Sequence, residues 1–537
     1  MKYQKRICFL YCFLVFSISL LVARLYNLSK DDTNKSMAVL DGQYTGRITV
    51  CERSGFIYDR NGRLVSHDVS EKVALINPAE CKNALLCAEK LSKYALVSSA
   101  SEVYEKIMEG IPFTVCLADD GEMPKTEGVY VFDTYRENYS VAKHFLGYNN
   151  TDGEGVSGLR GAYNELLSNR LYSRVSASFD TNAKRMSLSA FNLETQKYLS
   201  RDGVVTTLDK ELQEFCDGLC DEIKSGAVVA ANVKTGEILA LSSFPQYDIN
   251  NLAQVLSSDK GEFINRAKES FTPGSAFKTV VAAAALETDK LLFEMKYECT
   301  GSVEVEGHIF KCHKKSGHGE IDMTEAFAES CNTYFINLGQ IIGIEAIDRT
   351  CKGLGLDKPN RADFLEETAN YYPDTVSESM GYLANISFGQ GDLCLSPLDM
   401  IKTVIAASTG YSTPLSSVLG EIKDGEFVSD EKEGKKRIFS ENTCEKLLIM
   451  MRKCVESGTG STAKTYGVNI GGKTATAQTG RFDGEGVEYV HKWFCGVYPI
   501  ENPRIAICVL CDNETDTNVS PSVVFGKICA FLLENNL

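Results

Sequence analysis

A serine followed three residues later by a lysine occurs five times in this chain, at Ser140/Lys143, Ser257/Lys260, Ser275/Lys278, Ser429/Lys432 and Ser461/Lys464. On a helix this spacing sets the ammonium one turn from the hydroxyl on the same face. In an apolar setting desolvation lowers the lysine pKa, and the neutral amine can then take the serine proton. The pattern by itself is common, so context must select among the copies. Only Ser275 follows a Pro273-Gly274 turn and opens an apolar helix, with Val280-Val281-Ala282-Ala283-Ala284-Ala285 behind it. A helix N-terminus there would offer backbone N–H groups and a dipole that favour developing negative charge. The other four pairs sit among charges or in glycine- and threonine-rich loops, where solvation is the ordinary fate. Ser275 is the candidate nucleophile and Lys278 its base.

Two further groupings lie downstream. Ser330-Cys331-Asn332 falls 55 residues after Ser275, inside an apolar helical context of Phe327, Ala328, Tyr334 and Phe335. Two polar side chains at i and i+2 there are either a buried hydrogen-bonded pair or part of a site. Gly471-Gly472-Lys473-Thr474-Ala475-Thr476-Ala477-Gln478 alternates small and polar residues, as a strand lining the edge of a cleft does. Period-2 geometry puts Lys473 and Ala475 on one face of that strand and Thr474 and Thr476 on the other. A literal Lys234-Thr235-Gly236 precedes the serine and reads as the turn of a core hairpin, the wrong order and the wrong role for chemistry.

The elements that must hold these residues are legible as well. Ala227 to Val233 and Glu237 to Leu241 form a hairpin of two core strands around that turn. Thr279 to Leu286 reads as a buried helix, Glu325 to Gly339 as one amphipathic helix and Met400 to Ala407 as another. Strands return at Trp493–Tyr498 and Arg504–Cys511. A hairpin, then helices, then further strands implies an α+β domain whose sheet is assembled from distant parts of the chain. Between about 40 and 200 the chain carries short alternating stretches instead, such as Arg47–Val50 and Val129–Phe132.

With 44% hydrophobic and 24% charged residues over 537 positions, the composition is that of a globular protein, which excludes wholesale disorder. A net charge of -16 argues against a sequence-independent nucleic-acid binder, which needs a basic face. Lys2, Lys5 and Arg6 precede an uncharged run from Ile7 to Ala23. That run is about long enough for a bilayer-crossing helix. Its positive flank would stay in the cytoplasm and send the rest of the chain outside. Ala23-Arg24-Leu25-Tyr26 is a poor cleavage site, so the segment reads as a retained anchor. The expected division is 1–26 for the cytoplasmic tip and anchor, 27–200 for a first external domain and 201–537 for the domain bearing the serine. The 19 cysteines show no disulfide framework. Cys508 and Cys511 fall within an apolar strand, and Cys216 and Cys220 lack further ligands, so all are read as structural and no metal is assigned.

A serine–lysine, serine–asparagine and lysine–threonine–small order over about two hundred residues is the three-box pattern of penicillin-recognising enzymes. The chain resembles the class B penicillin-binding proteins, monofunctional peptidoglycan transpeptidases. Arg53-Ser54-Gly55-Phe56-Ile57-Tyr58-Asp59-Arg60-Asn61-Gly62 is similar to the family's opening pedestal motif. Tyr148 and Gly158-Leu159-Arg160-Gly161-Ala162-Tyr163 are similar to a later pedestal element. Thr207-Leu208-Asp209 with Gln213 resembles the start of the catalytic domain, and Phe388-Gly389-Gln390-Gly391 with Ser396-Pro397-Leu398 the segment before a late helix. Ser396 and Pro397 also make sense locally, as an N-cap and a first helical proline. Two departures stand out: Ala475 where the family usually has glycine, and Arg160 where relatives commonly carry glutamate.

The resemblance implies the penicillin-binding serine transpeptidase fold, an antiparallel sheet with helices, preceded by an elongated, mainly β pedestal and one N-terminal transmembrane helix. It implies catalysis by Ser275, Lys278, Ser330 and Lys473, with Asn332 binding the stem peptide and Thr474 and Thr476 its terminal carboxylate. Backbone N–H groups of Ser275 and Thr476 would form the oxyanion hole. The implied partners are D-Ala-D-Ala stem peptides, β-lactams and a polytopic membrane glycan polymerase, with no cofactor and no nucleic acid. An anchored β-lactamase or β-lactam sensor is the alternative on the same fold, and a catalytically silent scaffold of wall synthesis the alternative from another class.

Overall fold

The computed structural model describes residues 14–24, 26, 45–53, 55–65, 67–95, 98–118, 125–138, 141–150, 154–167, 171–178, 192–195, 202–249, 252–359, 361–366, 379–430, 434–466, 468–515 and 520–537. Residues 14–24 are helical; the remainder of the Ile7–Ala23 run lies outside the described residues. Among the described residues, no helix is long and apolar enough to cross a membrane.

The chain divides into two compact units. The first comprises residues 1–54, 68–138 and 170–199. Among its described residues, strands Thr45–Arg53, Leu171–Ser178 and Asn192–Thr195 form one sheet, and Phe113–Leu117, His67–Ile76 and Val129–Asn138 form another. Two helices, Ala84–Ser92 and Ala100–Met108, bury Leu91, Val103 and Ile107 with Ala74, Ile76 and Val115. The short alternating stretches of the sequence are therefore strands of this unit.

The second unit comprises residues 55–67, 139–169 and 200–537. The sequence reading counted 55–67 and 139–169 with the first domain; the structure packs both into the second. The cause is local pairing. Phe56–Tyr58 lies parallel to Gly203–Thr206, with Ile57 fully buried. The next residues fasten the corner: Arg60 N donates to Leu208 O at 2.9 Å, and Arg60 pairs with Glu237 at 3.3 Å. Gly62, at φ 75°, closes the turn. Gln213 is buried, with Asp217 Oδ1, Leu241 O and Ser242 Oγ around the two protons of its Nε2 and its Oε1 accepting from Leu241 N.

The core of the second unit is a five-stranded antiparallel sheet. Its strands are β1 (Gly226–Asn232), β2 (Ile238–Phe244), β3 (Gly471–Phe482), β4 (Glu488–Tyr498) and β5 (Ile505–Glu514), in the order β2-β1-β5-β4-β3. As expected, Lys234-Thr235-Gly236 is only the turn between β1 and β2. Alternate side chains of the central strands enter two different cores. Ala227, Val229, Trp493, Cys495, Cys508 and Leu510 face one, and Val228, Ala230, Phe494, Ile507 and Val509 face the other. Both faces being covered explains why β1 and β5 read as unbroken apolar runs. Each buried Val, Leu, Ile or Phe among them contributes roughly 1.5–3 kcal/mol.

On the first face lie helices α1 (Lys278–Thr288), α2 (Asn332–Ile342), α3 (Pro397–Thr409) and α4 (Glu441–Ser457). Helix α5 (Pro521–Glu534) covers the other. Ser396 caps α3 in a capping box with Asp399, and Pro397 takes the first turn, as its sequence implied. One expectation fails. The stretch from Glu325 to Gly339 is not a single helix but Met323–Ala328 followed by α2, with a sharp corner between. The break occurs at Ser330, which adopts a left-handed φ of 56°.

Candidate active site

Gly274–Phe277 forms a single 3₁₀ turn that runs into α1. The α-helix therefore begins at Lys278, and Ser275 sits in the turn before it instead of opening it. Gly274 is left-handed at φ 53°, and its N–H donates to Gly389 O at 2.9 Å. A side chain on Gly389 would put its first carbon 1.9 Å from Gly274 O, so the two glycine backbones pin the turn by close approach. Three residues per turn eclipse positions i and i+3. Accordingly Lys278 Nζ donates to Ser275 Oγ at 3.0 Å.

The same amine gathers the second grouping. Lys278 Nζ donates to Ser330 O at 2.7 Å and Asn332 Oδ1 at 2.8 Å, and lies 3.2 Å from Ser330 Oγ. The corner at Ser330 makes this convergence possible. Cys331 N bonds Ala326 O at 2.8 Å, ending the preceding helix, and the left-handed serine then turns its carbonyl and hydroxyl toward Nζ. Asn332 Nδ2 donates to Lys311 O at 3.3 Å, which fixes the amide orientation. Four acceptors surround an amine with three protons when charged and two when neutral. In the neutral state the nitrogen lone pair is left for a hydroxyl of Ser275 or Ser330.

Strand β3 is the edge of its sheet, so one side of its backbone is open to pair with an extended ligand. Lys473, Ala475 and Ala477 are buried, whereas Thr474, Thr476 and Gln478 face the cleft, the alternation read from the sequence. Lys473 Nζ donates to Thr474 O at 2.9 Å and lies 5.6 Å from the ring centroid of Phe327. The cleft, of about 740 Å³, is lined by Ser275, Ser330, Asn332, Thr474 and Thr476 among others. Lys278 and Lys473, 0% and 1% exposed, lie beneath its surface. Hydroxyls and amides thus line the cleft, and the two amines lie behind them.

Burial, with Lys473 as a neighbouring cation, holds the Lys278 amine well below the usual lysine range. Burial lowers Lys473 as well. Of the rival serine–lysine pairs, Lys260 and Lys464 are exposed and lack the buried setting of Lys278. Ser140 and Lys432 lie outside the described residues.

Thr459 escaped the sequence reading. Its Oγ1 lies 2.5 Å from Thr474 Oγ1 and it lines the cleft. Gly458 and Gly460 flank it where a Cβ would come within 2.4 Å of Ala328 O and 3.1 Å of the Phe494 ring. A threonine between two glycines was the available signal. No disulfide forms among the cysteines whose side chains are described.

Residues 226–529 match the family described as the penicillin binding protein transpeptidase domain. Stage V sporulation protein D of Bacillus subtilis (strain 168) is 28% identical over 567 aligned positions, covering 99% of this chain and 85% of the relative. The peptidoglycan D,D-transpeptidase FtsI of Escherichia coli (strain K12) is 25% identical over 74% of this chain and 66% of its own length. Penicillin-binding protein PBP2 from Helicobacter pylori superposes with a TM-score of 0.70 at 20% identity, over 91% of this chain and 99% of that one. In its complex with MreC the same comparison gives a TM-score of 0.67 at 22% identity, and at these identities the likeness is one of fold. The serine–lysine turn, the serine–asparagine corner and the lysine–threonine edge strand meet inside the matched segment, and the chain belongs to the penicillin-binding protein transpeptidase family.

Proposed function

We propose that this chain is a peptidoglycan D,D-transpeptidase working through an acyl-enzyme on Ser275. The observation that carries the reading is one buried amine, Lys278 Nζ, within 3.2 Å of Ser275 Oγ, Ser330 Oγ and Asn332 Oδ1 at the floor of a cleft. Lys278 takes the Ser275 proton as Oγ bonds to the penultimate D-alanine carbonyl carbon. The carbonyl oxygen becomes an oxyanion, held by the backbone N–H groups of Ser275 and Thr476. Collapse breaks the peptide bond, and the proton passes through Ser330 to the departing D-alanine amine. An amine of a neighbouring stem then displaces Ser275 and closes a cross-link; water in its place gives a trimmed stem, a carboxypeptidase outcome. Asn332 orients the stem peptide, and Thr474 and Thr476 hold its terminal carboxylate. Purified chain exposed to labelled penicillin should form a stable covalent adduct; rapid turnover would mean a β-lactamase, and no adduct a scaffold.

The methyl of Ala475 is buried beside Gly274. A Cβ placed on Gly274 would lie 3.5 Å from the Ala475 methyl and 3.1 Å from that of Ala477. The Ala475 methyl thus faces Gly274 at ordinary contact distance, and the crowding a side chain at 274 would meet comes from Ala477. Ala475→Gly is expected to change the acylation rate by less than about tenfold, or about 1.4 kcal/mol in the barrier. Gly274→Ala should do more harm, combining left-handed strain with crowding, at about 1–3 kcal/mol of stability. Time-resolved penicillin labelling and thermal melts of the two variants check both. An inert native chain revived by Ala475→Gly would show a decayed cleft.

The run from Ile7 to Ala23 supports a single-pass anchor with a cytoplasmic N-terminus and the catalytic unit on the outer face; the family resemblance adds a polytopic glycan polymerase as its partner. Protease added to intact cells lacking an outer membrane should digest the long C-terminal part. Protection until the membrane is opened would reverse the orientation.

A further inference from the structure

Behind the serine–asparagine corner, Cys299, Cys312, His318 and Cys331 turn their side chains to one point, with all four ligand atoms within 4.8 Å of one another. We propose that these four residues form a closed structural site for a zinc ion, and that the ion fixes the catalytic corner. The spacing fits the ion closely. Tetrahedral coordination at about 2.3 Å for sulfur and 2.0–2.1 Å for nitrogen requires S···S separations of about 3.8 Å and S···N separations of about 3.6 Å. The structure has Cys312 Sγ 3.9 Å from Cys331 Sγ, and His318 Nδ1 3.5 Å from Cys299 Sγ and 3.6 Å from Cys312 Sγ.

Ordinary packing does not account for the arrangement. The other ring nitrogen of His318, Nε2, is buried without a hydrogen-bond partner, so the polar contacts of the imidazole are thiols. Thr333 Oγ1 donates to Cys299 Sγ at 3.1 Å and lies 3.4 Å from Cys331 Sγ, the outer-shell support that metal thiolates receive. A disulfide would consume two of the sulfurs and leave the third with the imidazole. Three thiols and one imidazole are a complete set for a structural zinc site, with no position open to water. The soft sulfurs disfavour magnesium and calcium. Binding displaces the three thiol protons to solvent as thiolates form.

The backbone is shaped to bring these residues together. Cys299 ends the strand Tyr297–Cys299, which pairs with Gly319–Ile321, and His318 immediately precedes that partner. Gly317, at φ 77°, passes so near that a Cβ there would lie 2.1 Å from Cys299 O. Cys331 stands between Ser330 and Asn332, and Lys311, next to Cys312, accepts the Asn332 amide. The ion would therefore tie both ends of the corner that presents Ser330 and Asn332 to Lys278. This positioning role rests on the acyl-enzyme reading above; occupancy by metal does not.

Elemental analysis of the full chain, purified under reducing conditions without added metal, should find about one zinc per chain. Cobalt substituted for it should give the intense visible bands of a tetrahedral thiolate complex. Cys299→Ala combined with His318→Ala should lose the metal, Cys220→Ala should keep it, and His318→Cys should keep it as a four-thiolate site. Chelation should slow penicillin acylation at least tenfold, and zinc should restore it. A native chain without stoichiometric metal and without the cobalt spectrum overturns the site, as does a Cys312–Cys331 disulfide in peptide mapping or full zinc in the double variant. Metal present but acylation unchanged on its removal overturns the positioning role alone. Metal content is read without any acylation, so a wrong nucleophile would leave the first result standing.

Discussion

Ser275→Ala abolishes covalent labelling by penicillin and leaves the chain folded. The acyl bond needs the Oγ atom, so its removal eliminates the adduct instead of slowing its formation. The structural cost is small. Ser275 is half-buried at the cleft surface, and its hydroxyl meets Lys278, which retains Ser330 and Asn332 as partners. Loss of one such bond costs on the order of 1 kcal/mol. A melting shift of no more than about 4 °C follows for a unit of this size. Ser257→Ala, Ser429→Ala and Ser461→Ala should label like the native chain. Intact-mass analysis after penicillin treatment decides it, since an adduct on Ser275→Ala would place the nucleophile elsewhere.

The second large effect is carried by the two buried lysines. Lys278→Met should lower the acylation rate by about 10²–10⁴-fold, the usual contribution of a positioned general base. The native rate should also rise with pH through the ionisation of Lys278 and level off while ordinary lysines, near 10.4, are still charged. The sign follows from the surroundings. Burial and the Lys473 cation both disfavour the charged form, so the neutral base appears at lower pH than in a free lysine. Lys473→Gln removes the cation and must move the rising limb to higher pH. Stability shares this linkage. Between the depressed folded value and the unfolded one the unfolded chain binds more protons, so stability rises with pH across that window. Stopped-flow acylation of the native chain and both variants across pH checks the prediction. A limb that stays put or moves downward in Lys473→Gln would show that the two amines do not communicate.

Much of the fold is local and was readable. The β1–β2 hairpin announces itself by two apolar runs around Lys234-Thr235-Gly236, and α3 by Ser396 and Pro397. These depend on neighbours in sequence, whose preferences the chain states directly. The break between Met323–Ala328 and α2 was not readable, because Ser330 has no intrinsic preference for φ 56°. Helix capping and the contacts of its carbonyl and hydroxyl with Lys278 hold it there. Residues 55–67 joined the second unit for a similar reason: Phe56–Tyr58 finds its partner strand nearly 150 residues away.

The sequence by itself determined which residues are the candidates for chemistry and in what order they come. The order of Ser275, Lys278, Ser330, Asn332, Lys473, Thr474 and Thr476 selects one reaction class, since few side-chain sets can activate a serine without histidine. The tertiary structure alone decided how they are placed. It put the two lysines under the cleft floor, where desolvation disfavours their charged forms, and set Thr459 beside Thr474. It also gathered Cys299, Cys312, His318 and Cys331 from spacings that match no short metal motif. Burial and convergence are properties of the packed chain, created when distant segments displace water together, and no stretch of sequence contains them on its own.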